Sequence, residues 1–550
     1  MIGLRSILAT ASAVGAATLV FAYSNHAQAC GCFAPPDPSV PVVQAGERIL
    51  FSHKDGRITA HIQIQYQGEA NEFGWLLPLP SRPELKLGVE ELFAQLIATT
   101  QPKYRLVRQA DGTCGIPTFS SGENSPPGRD AAGDDEDDVV EVQGSIGPFD
   151  FAVLRADEQK PMFDWLVENS YVIPTGTENV VDPYIKEGAF FLALKLRKGN
   201  DVGDIQPVVV EYESDLPMIP IVLTSVAAAP DMGIQVWVLG DSRAIPRNYR
   251  HTILNEEYID WFTAGSNYND VIIKATNEVE NGQSFITEYA GTSAIMQNVL
   301  DWEGRFGDRG MLASTTDAGT YVTMLRQNGF LWTSSLVSQL RRTFPMPDRL
   351  RDDGVSEDTY YESLDFYLNR YRERNPEVFE GVDLSFDATV LTDELWRRIV
   401  EPTLEAGALF GQYSKLTRMY TTLSPDEMTR DPVFSFNPDL PDVDNVHEAS
   451  FVFDCEDASR GVLNLPDGRR FVVRDPSDWL QRRRVGVPYS RRIEALFEEG
   501  APQVEIDNVT LISSGDQEPG GCASSGQNPG AATAWLFAMG IAGLLWRRRR

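Results

Sequence analysis

Hydrophobic and polar positions change period several times along this chain, and each change marks an element. Ile58, Ala60, Ile62, Ile64 and Tyr66 alternate with Thr59, His61, Gln63, Gln65 and Gln67, the period of two of a strand with one buried face. Ile49-Leu50-Phe51 lies across Asp55-Gly56 from that run. The dipeptide favours a type I′ turn, so the two runs predict a β-hairpin. Residues 73–80 read as another strand that ends at prolines. Val89, Leu92, Phe93, Leu96 and Ile97 then fall on one face of a helix. Further β-segments are predicted at 149–154, 190–196, 208–212, 219–227 and 234–239, with a helix at 162–171.

The second half changes character. Tyr360, Tyr361, Leu364, Tyr367, Leu368 and Tyr371 repeat at three-four spacing and predict a helix over 357–371, with another at 393–400. Ser424-Pro425-Asp426-Glu427 has an N-cap, a first-turn proline and a capping-box glutamate, which predicts a helix start. Strands return at 451–453 and at 470–473, the latter after Asp467-Gly468. No repeat occurs at solenoid or propeller periods. The pattern predicts an α+β fold, with a β-rich part over 30–250 and a mixed, more helical part over 251–510. Residues 120–141 contain Pro126-Pro127 and Asp134-Asp135-Glu136-Asp137-Asp138. They lack the spaced ligands and turn glycine of a calcium loop and read as an acidic flexible loop.

The two ends carry an address. Residues 1–29 combine Arg5, an apolar stretch over 7–21 and Ala27-Gln28-Ala29 before Cys30. That is a secretory signal, with cleavage expected between Ala29 and Cys30. Cleavage there leaves Cys30 at the new N-terminus, where a lipoprotein carries its lipid, although Ala27 stands where leucine is usual in such signals. A Gly/Ser/Pro-rich linker at 511–530 holds Gly521-Cys522. The apolar run 531–546 follows, 16 residues or about 24 Å as a helix. It is predicted to enter a membrane, with Trp535 and Trp546 towards its interfaces and Arg547, Arg548, Arg549 and Arg550 on the cytoplasmic side. Residues 520–550 resemble the myxobacterial C-terminal sorting signal: a Gly-Cys motif, a short span and an arginine cluster. The resemblance implies an intramembrane sorting protease as partner, processing at Cys522 and anchorage at the cell surface or outer membrane.

Composition is globular, with 42% hydrophobic and 23% charged residues in 550. The formal net charge is −31, and becomes −36 once the five arginines of the signal and tail are set aside. Such a surface repels nucleic acid and anionic membranes and favours cationic partners. The cluster Arg482-Arg483-Arg484 with Arg491-Arg492 is expected to pair with local acids. Cys522 belongs to the tail, and Cys30, Cys32, Cys114 and Cys455 remain, an even number that predicts two disulfides in an exported protein. A bond between Cys30 and Cys32 would be strained, so each is expected to pair with Cys114 or Cys455.

Several stretches resemble the bacterial family of domain of unknown function 2330. They are Cys30-Gly31-Cys32, Gln44 through Phe51, Trp75 through Pro80, Gly147-Pro148-Phe149-Asp150, Trp165 through Asn169 and Thr287-Glu288-Tyr289. Leu416 through Tyr420 and Asp431 through Phe434 complete the set, so the resemblance runs from about 30 to 440. It implies export, since members are often exported, and brings no activity.

No G-x-S-x-G, G-x-x-x-x-G-K-[ST], G-x-G-x-x-G or H-E-x-x-H motif is present. His53 and His61 tempt as a metal pair, but the hairpin register sets His53 against Ile58 and His61 against Leu50, on opposite faces. His251 and His447 stand isolated. Asp439, Asp442, Asp444, His447 and Glu448 form an acidic stretch that is a candidate calcium loop, and otherwise no cofactor is expected. Glu47, Arg48 and Glu288 lie beside apolar strands and are candidates for acid-base work, with structural ion pairing the commoner fate. Trp75, Trp165, Trp237 and Tyr289 suit a carbohydrate platform or, more commonly, a core. The chain reads as an exported, surface-anchored structural or binding module without catalysis. The alternative is a cell-envelope hydrolase using acidic residues or a bound cation. The first reading expects no two buried carboxylates facing each other across an open cleft.

Overall fold

In the Asp55-Gly56 hairpin, Val43–Lys54 pairs antiparallel with Arg57–Gln67 and Lys54 lies opposite Arg57. Both turn residues have positive φ, 53° and 77°, as a type I′ turn requires. His53 lies opposite Ile58 and His61 opposite Leu50, so the two imidazoles point to opposite faces. The computed structural model describes residues 43–67, 74–111, 140–169, 171, 177–197, 205–480 and 486–514. Residues 1–29 with the expected secretory signal, Cys30, Cys32, Cys114, almost all of the expected acidic loop, Arg482 to Arg484, Cys522 and residues 531–550 with the expected membrane segment lie outside the described residues. Among those described, no helix is long and apolar enough to cross a membrane.

The hairpin sits in a ten-stranded sheet. In spatial order the strands are Gln503–Asp507, Ser490–Ala495, Arg250–Leu254, Ser284–Thr292, Lys415–Leu423, Ala228–Gly240, Val43–Lys54, Arg57–Gln67, Val208–Glu213 and Glu84–Leu87. The five strands from residue 250 onward fill one half of the sheet and the five before it fill the other, joined where Lys415–Leu423 pairs with Ala228–Gly240, and the expected division at 250/251 falls inside Arg250–Leu254. Both faces of the central strands are covered, so alternation sorts residues between two cores rather than between core and water. Leu50, Trp237, Leu239 and Leu416 enter a cluster with the helices between 294 and 410. Ile49, Phe51, Ile62, Val236 and Met419 enter a second cluster with Trp75, Leu77, Leu192 and Val153. The latter four belong to a four-stranded sheet, Gly74–Leu79, Phe190–Leu196, Phe149–Arg155 and Val140–Ile146. Another four-stranded sheet joins Arg470–Val473, Gly461–Asn464, Val446–Phe453 and Lys103–Ala110, and packs with helix Tyr268–Thr276.

The fold is thus mixed helix and strand. The predicted helices at 357–371 and 393–400 are present, but each passes through a π-helical turn, Tyr367–Tyr371 and Trp396–Val400, and continues as α-helix over Arg372–Arg374 and Glu401–Phe410. Two expectations are corrected. Residues 219–227 hold a short helix, Ile221–Thr224, instead of a strand. Short apolar runs carry no period that separates the two, and Pro220 stands at its N-cap. At Ser424 the capping-box contact forms, with the Ser424 N–H donating to Glu427 at 2.7 Å, yet no helix follows. Pro432 disfavours helical backbone at Asp431, and the chain turns into the strand Phe434–Asn437.

Candidate functional site

Strand Arg250–Leu254 runs parallel to Ser284–Thr292 on one side and antiparallel to Ser490–Ala495 on the other. That pairing places His251 opposite Glu494, with Nδ1 3.4 Å from the carboxylate and both side chains buried. A carboxylate only accepts, so it holds the imidazole proton on Nδ1. Nε2 of His251 has no hydrogen-bond partner. Burial lowers the His251 pKa, with Glu494 acting in the opposite sense.

After Leu254, the Asn255 side chain accepts from the Glu257 N–H and caps the turn Glu256–Tyr258. This carries Glu256 towards the small sheet, where its carboxylate lies 2.6 Å from His447 Nδ1. His447 stands beside Tyr104 in the parallel pairing of Val446–Phe453 with Lys103–Ala110, and their rings stack at 4.8 Å. The start of that pairing is fixed by the Asn445 amide, which donates to the Thr99 and Gln101 carbonyls at 2.9 and 2.8 Å. Glu288 lies at an irregularity in register between Thr287 and Tyr289. It accepts from the Tyr268 hydroxyl at 2.7 Å and from Arg418 Nε.

Arg243 completes the set. It begins the strand Arg243–Pro246 and is 7% exposed. Its Nη1 donates to the Pro441 carbonyl at 3.0 Å and Nη2 to the Thr287 hydroxyl at 3.2 Å, while Nε has no partner. No carboxylate among the described residues ion-pairs with it. Burial lowers its pKa, and the charges of Glu494 and Asp442 oppose that shift.

These groups line one cavity of about 500 Å³, with apolar walls from Ile253, Leu254, Ile286, Leu440, Val443 and Leu496. Val504, 43% exposed, lies at its rim. The size and the mixture of apolar wall with a few convergent polar groups are those of a small-molecule site. Two histidines isolated in sequence are thereby brought together, and Glu288 joins them. Glu288 and Glu494 are both buried and both line the cavity. Arg243, Glu256 and Glu494 are the residues that pattern alone passes over. Glu494 reaches the cavity through a strand partner 243 positions away, Arg243 through its pairing opposite Asn437, and Glu256 through the turn after Leu254, and none leaves a local signal.

Other candidates lie elsewhere. Glu47 is buried on the hairpin, and Arg48 donates to Gln63 at 3.1 Å. Trp75, Trp237 and Tyr289 are core residues, and Trp165 packs against a smaller core cluster. Asp439 accepts from the Gly500 N–H at 2.7 Å, Asp444 from the Val446 N–H at 2.9 Å, and Asp442 pairs with Lys415 at 2.5 Å. Among the described residues, no group of three or more His, Cys, Asp or Glu is placed to hold a metal ion. Arg492 pairs with Asp507 at 3.1 Å and Arg491 lies 3.6 Å from Asp467, local acids as expected.

The family described as an uncharacterized protein conserved in bacteria (DUF2330) matches residues 25–353. The match takes in Tyr104, Arg243, His251, Glu256, Tyr268 and Glu288, and stops short of His447 and Glu494. No curated protein and no solved structure matches.

Proposed function

The chain belongs to the DUF2330 family, and we propose that it is an exported, surface-anchored binding module that takes a small, largely apolar molecule into the cavity beside His251 and His447. The observation that carries the reading is the state of the polar groups there. Each lining carboxylate already has a basic partner: His447 for Glu256, Arg418 for Glu288 and His251 for Glu494. Neither serine nor cysteine lines the cavity among the described residues. The Thr252 hydroxyl is engaged with Ser284, and that of Thr287 with Arg243. Polar groups that hold one another orient a ligand, and no serine, cysteine or unengaged threonine among the described lining residues is placed to attack it. Export and anchorage rest on the signal at 1–29 and the tail at 520–550.

One observation favours a second reading, a cell-envelope hydrolase. Glu494 orients the Nδ1 side of His251 and leaves Nε2 without a partner, which is the base-and-orienter half of an acid-base site. Titration with a neutral apolar fluorophore, N-phenyl-1-naphthylamine, decides the first reading. It should bind saturably to the wild type and not to Val504→Trp, which plugs the rim. Absent or unsaturable binding, or binding unaffected by the plug, removes the binding function. Turnover of a cell-envelope polymer that His251→Gln abolishes while the fluorophore still binds would establish the hydrolase.

A further inference from the structure

Among the charged groups around the cavity, one cation has no carboxylate in contact with it. Glu256, Glu288 and Glu494 each face a basic side chain, and Arg492 is taken by Asp507. Arg243 alone has only neutral acceptors, the Pro441 carbonyl and the Thr287 hydroxyl. A guanidinium carries five N–H donors in a planar fork, and two of these contacts leave the rest of the fork unused. Removing such a cation from water is costly unless an anion replaces the lost hydration. Glu494 lies near enough to influence Arg243 but not within ion-pair reach, and it is engaged with His251.

We propose that the ligand is an organic carboxylate, its acid group seated against Arg243 and its apolar body against Ile253, Leu254, Ile286, Leu440, Val443 and Leu496. This rests on the cavity being a binding site and adds the chemical class of what binds there. One planar guanidinium matches one planar carboxylate by a two-point contact. A phosphate dianion would call for a second free cation, and Arg492 is not free. An amine would be repelled by Arg243 and would have to compete with His251 or His447 for a carboxylate.

Calorimetric titration of the exported chain with hexanoate, 4-phenylbutyrate and 3-indolepropionate, each beside its primary amide and the matching amine, tests the assignment. At least one acid should bind about tenfold or more tighter than its amide, as a charge-assisted contact implies, and the amines should bind more weakly than both. Arg243→Met should erase the preference for acid over amide while N-phenyl-1-naphthylamine binding persists, and Arg243→Lys should retain part of it. The comparison of acid with amide on the wild type needs no variant, so it stands even where Arg243→Met folds poorly. Amides or amines binding as tightly as the acids, or a preference that survives in Arg243→Met, overturns the assignment. Saturable fluorophore binding without acid preference defeats only this inference, whereas loss of fluorophore binding as well defeats the cavity reading beneath it.

Discussion

Arg418 and Glu288 face each other inside the molecule with 3% and 0% of their side chains exposed. The Arg418 guanidinium also stands over the Trp237 ring at 5.1 Å, and the Tyr268 hydroxyl donates to the other carboxylate oxygen. The pair thus joins the cavity wall to the core beneath the sheet. Its Coulomb attraction is opposed by the desolvation of two charges, so the pair is expected to add little net stability, while either half alone is destabilising. Arg418→Met should cost about 3–5 kcal/mol in a urea unfolding curve, with the double variant Arg418→Met/Glu288→Leu recovering most of the loss. Equal costs for single and double variants would show that packing around Trp237, and not charge, sets the effect.

His61 supplies a pH dependence with a defined sign. It is buried opposite Leu50 on one side and Val209 on the other, and its Nδ1 has no partner. Burial moves its pKa down from 6.5 to about 4, with Glu211 opposing and Lys86 adding to the shift. The unfolded chain therefore binds a proton that the folded chain refuses between those values. Stability is full above about pH 6.5 and falls as pH drops towards 4, by up to about 3 kcal/mol. Denaturant midpoints measured at pH 7.5 and 4.5 should differ less in His61→Leu than in the wild type. An unchanged difference would assign the acid sensitivity to other groups, among them His251, whose pKa burial also lowers.

Local pattern carried much of the fold. The hairpin register was legible because Asp55-Gly56 and the alternation on either side depend only on neighbours. The helical face of Val89, Leu92 and Phe93 was legible for the same reason. The misreadings at 219–227 and at Ser424 come from segments too short for a period to speak, where prolines decided. The cavity was hardly legible at all. His251 meets Glu494 through a strand partner 243 positions away, and Glu256 meets His447 across 191. Arg243 looks like any exposed arginine until the fold buries it. Composition and spacing contain no record of such meetings.

The tail predicts location. Cys522→Ser should remove the processing site and deletion of Arg547 to Arg550 the orientation signal, so both variants should leave the cell surface. Surface biotinylation followed by fractionation reads this directly. Retention of both at wild-type levels would make the tail a plain membrane span or an unused segment.

N-terminal sequencing of the exported form should begin at Cys30, since Ala27-Gln28-Ala29 supplies the small-residue site that the signal requires. A mature form that still contains residues 1–29 would turn the leader into an anchor.

The disulfides are predicted most sharply by strand pairing, and the pairing revises the preference drawn from spacing. Lys103–Ala110 runs parallel to Val446–Phe453 with Ala110 beside Phe453, and the Asp111 N–H still donates to the Phe453 carbonyl at 2.8 Å. Both chains therefore leave the sheet side by side, in the same direction. Cys455 comes two residues after Phe453 and Cys114 three after Asp111. At about 3.3–3.6 Å per residue, three residues are ample to cover the gap between neighbouring strands. Cys114 and Cys455 are accordingly expected to bond to each other, which leaves Cys30 and Cys32 to pair together or outside the chain. Closing the long loop between 114 and 455 would stabilise the fold by a few kcal/mol, about 2–4 by the usual range. Peptide mapping without reduction should recover a Cys114–Cys455 cross-linked peptide, and Cys114→Ser should leave Cys455 open to alkylation. A cross-link from Cys455 to Cys30 or Cys32 would restore the pairing that spacing alone suggests.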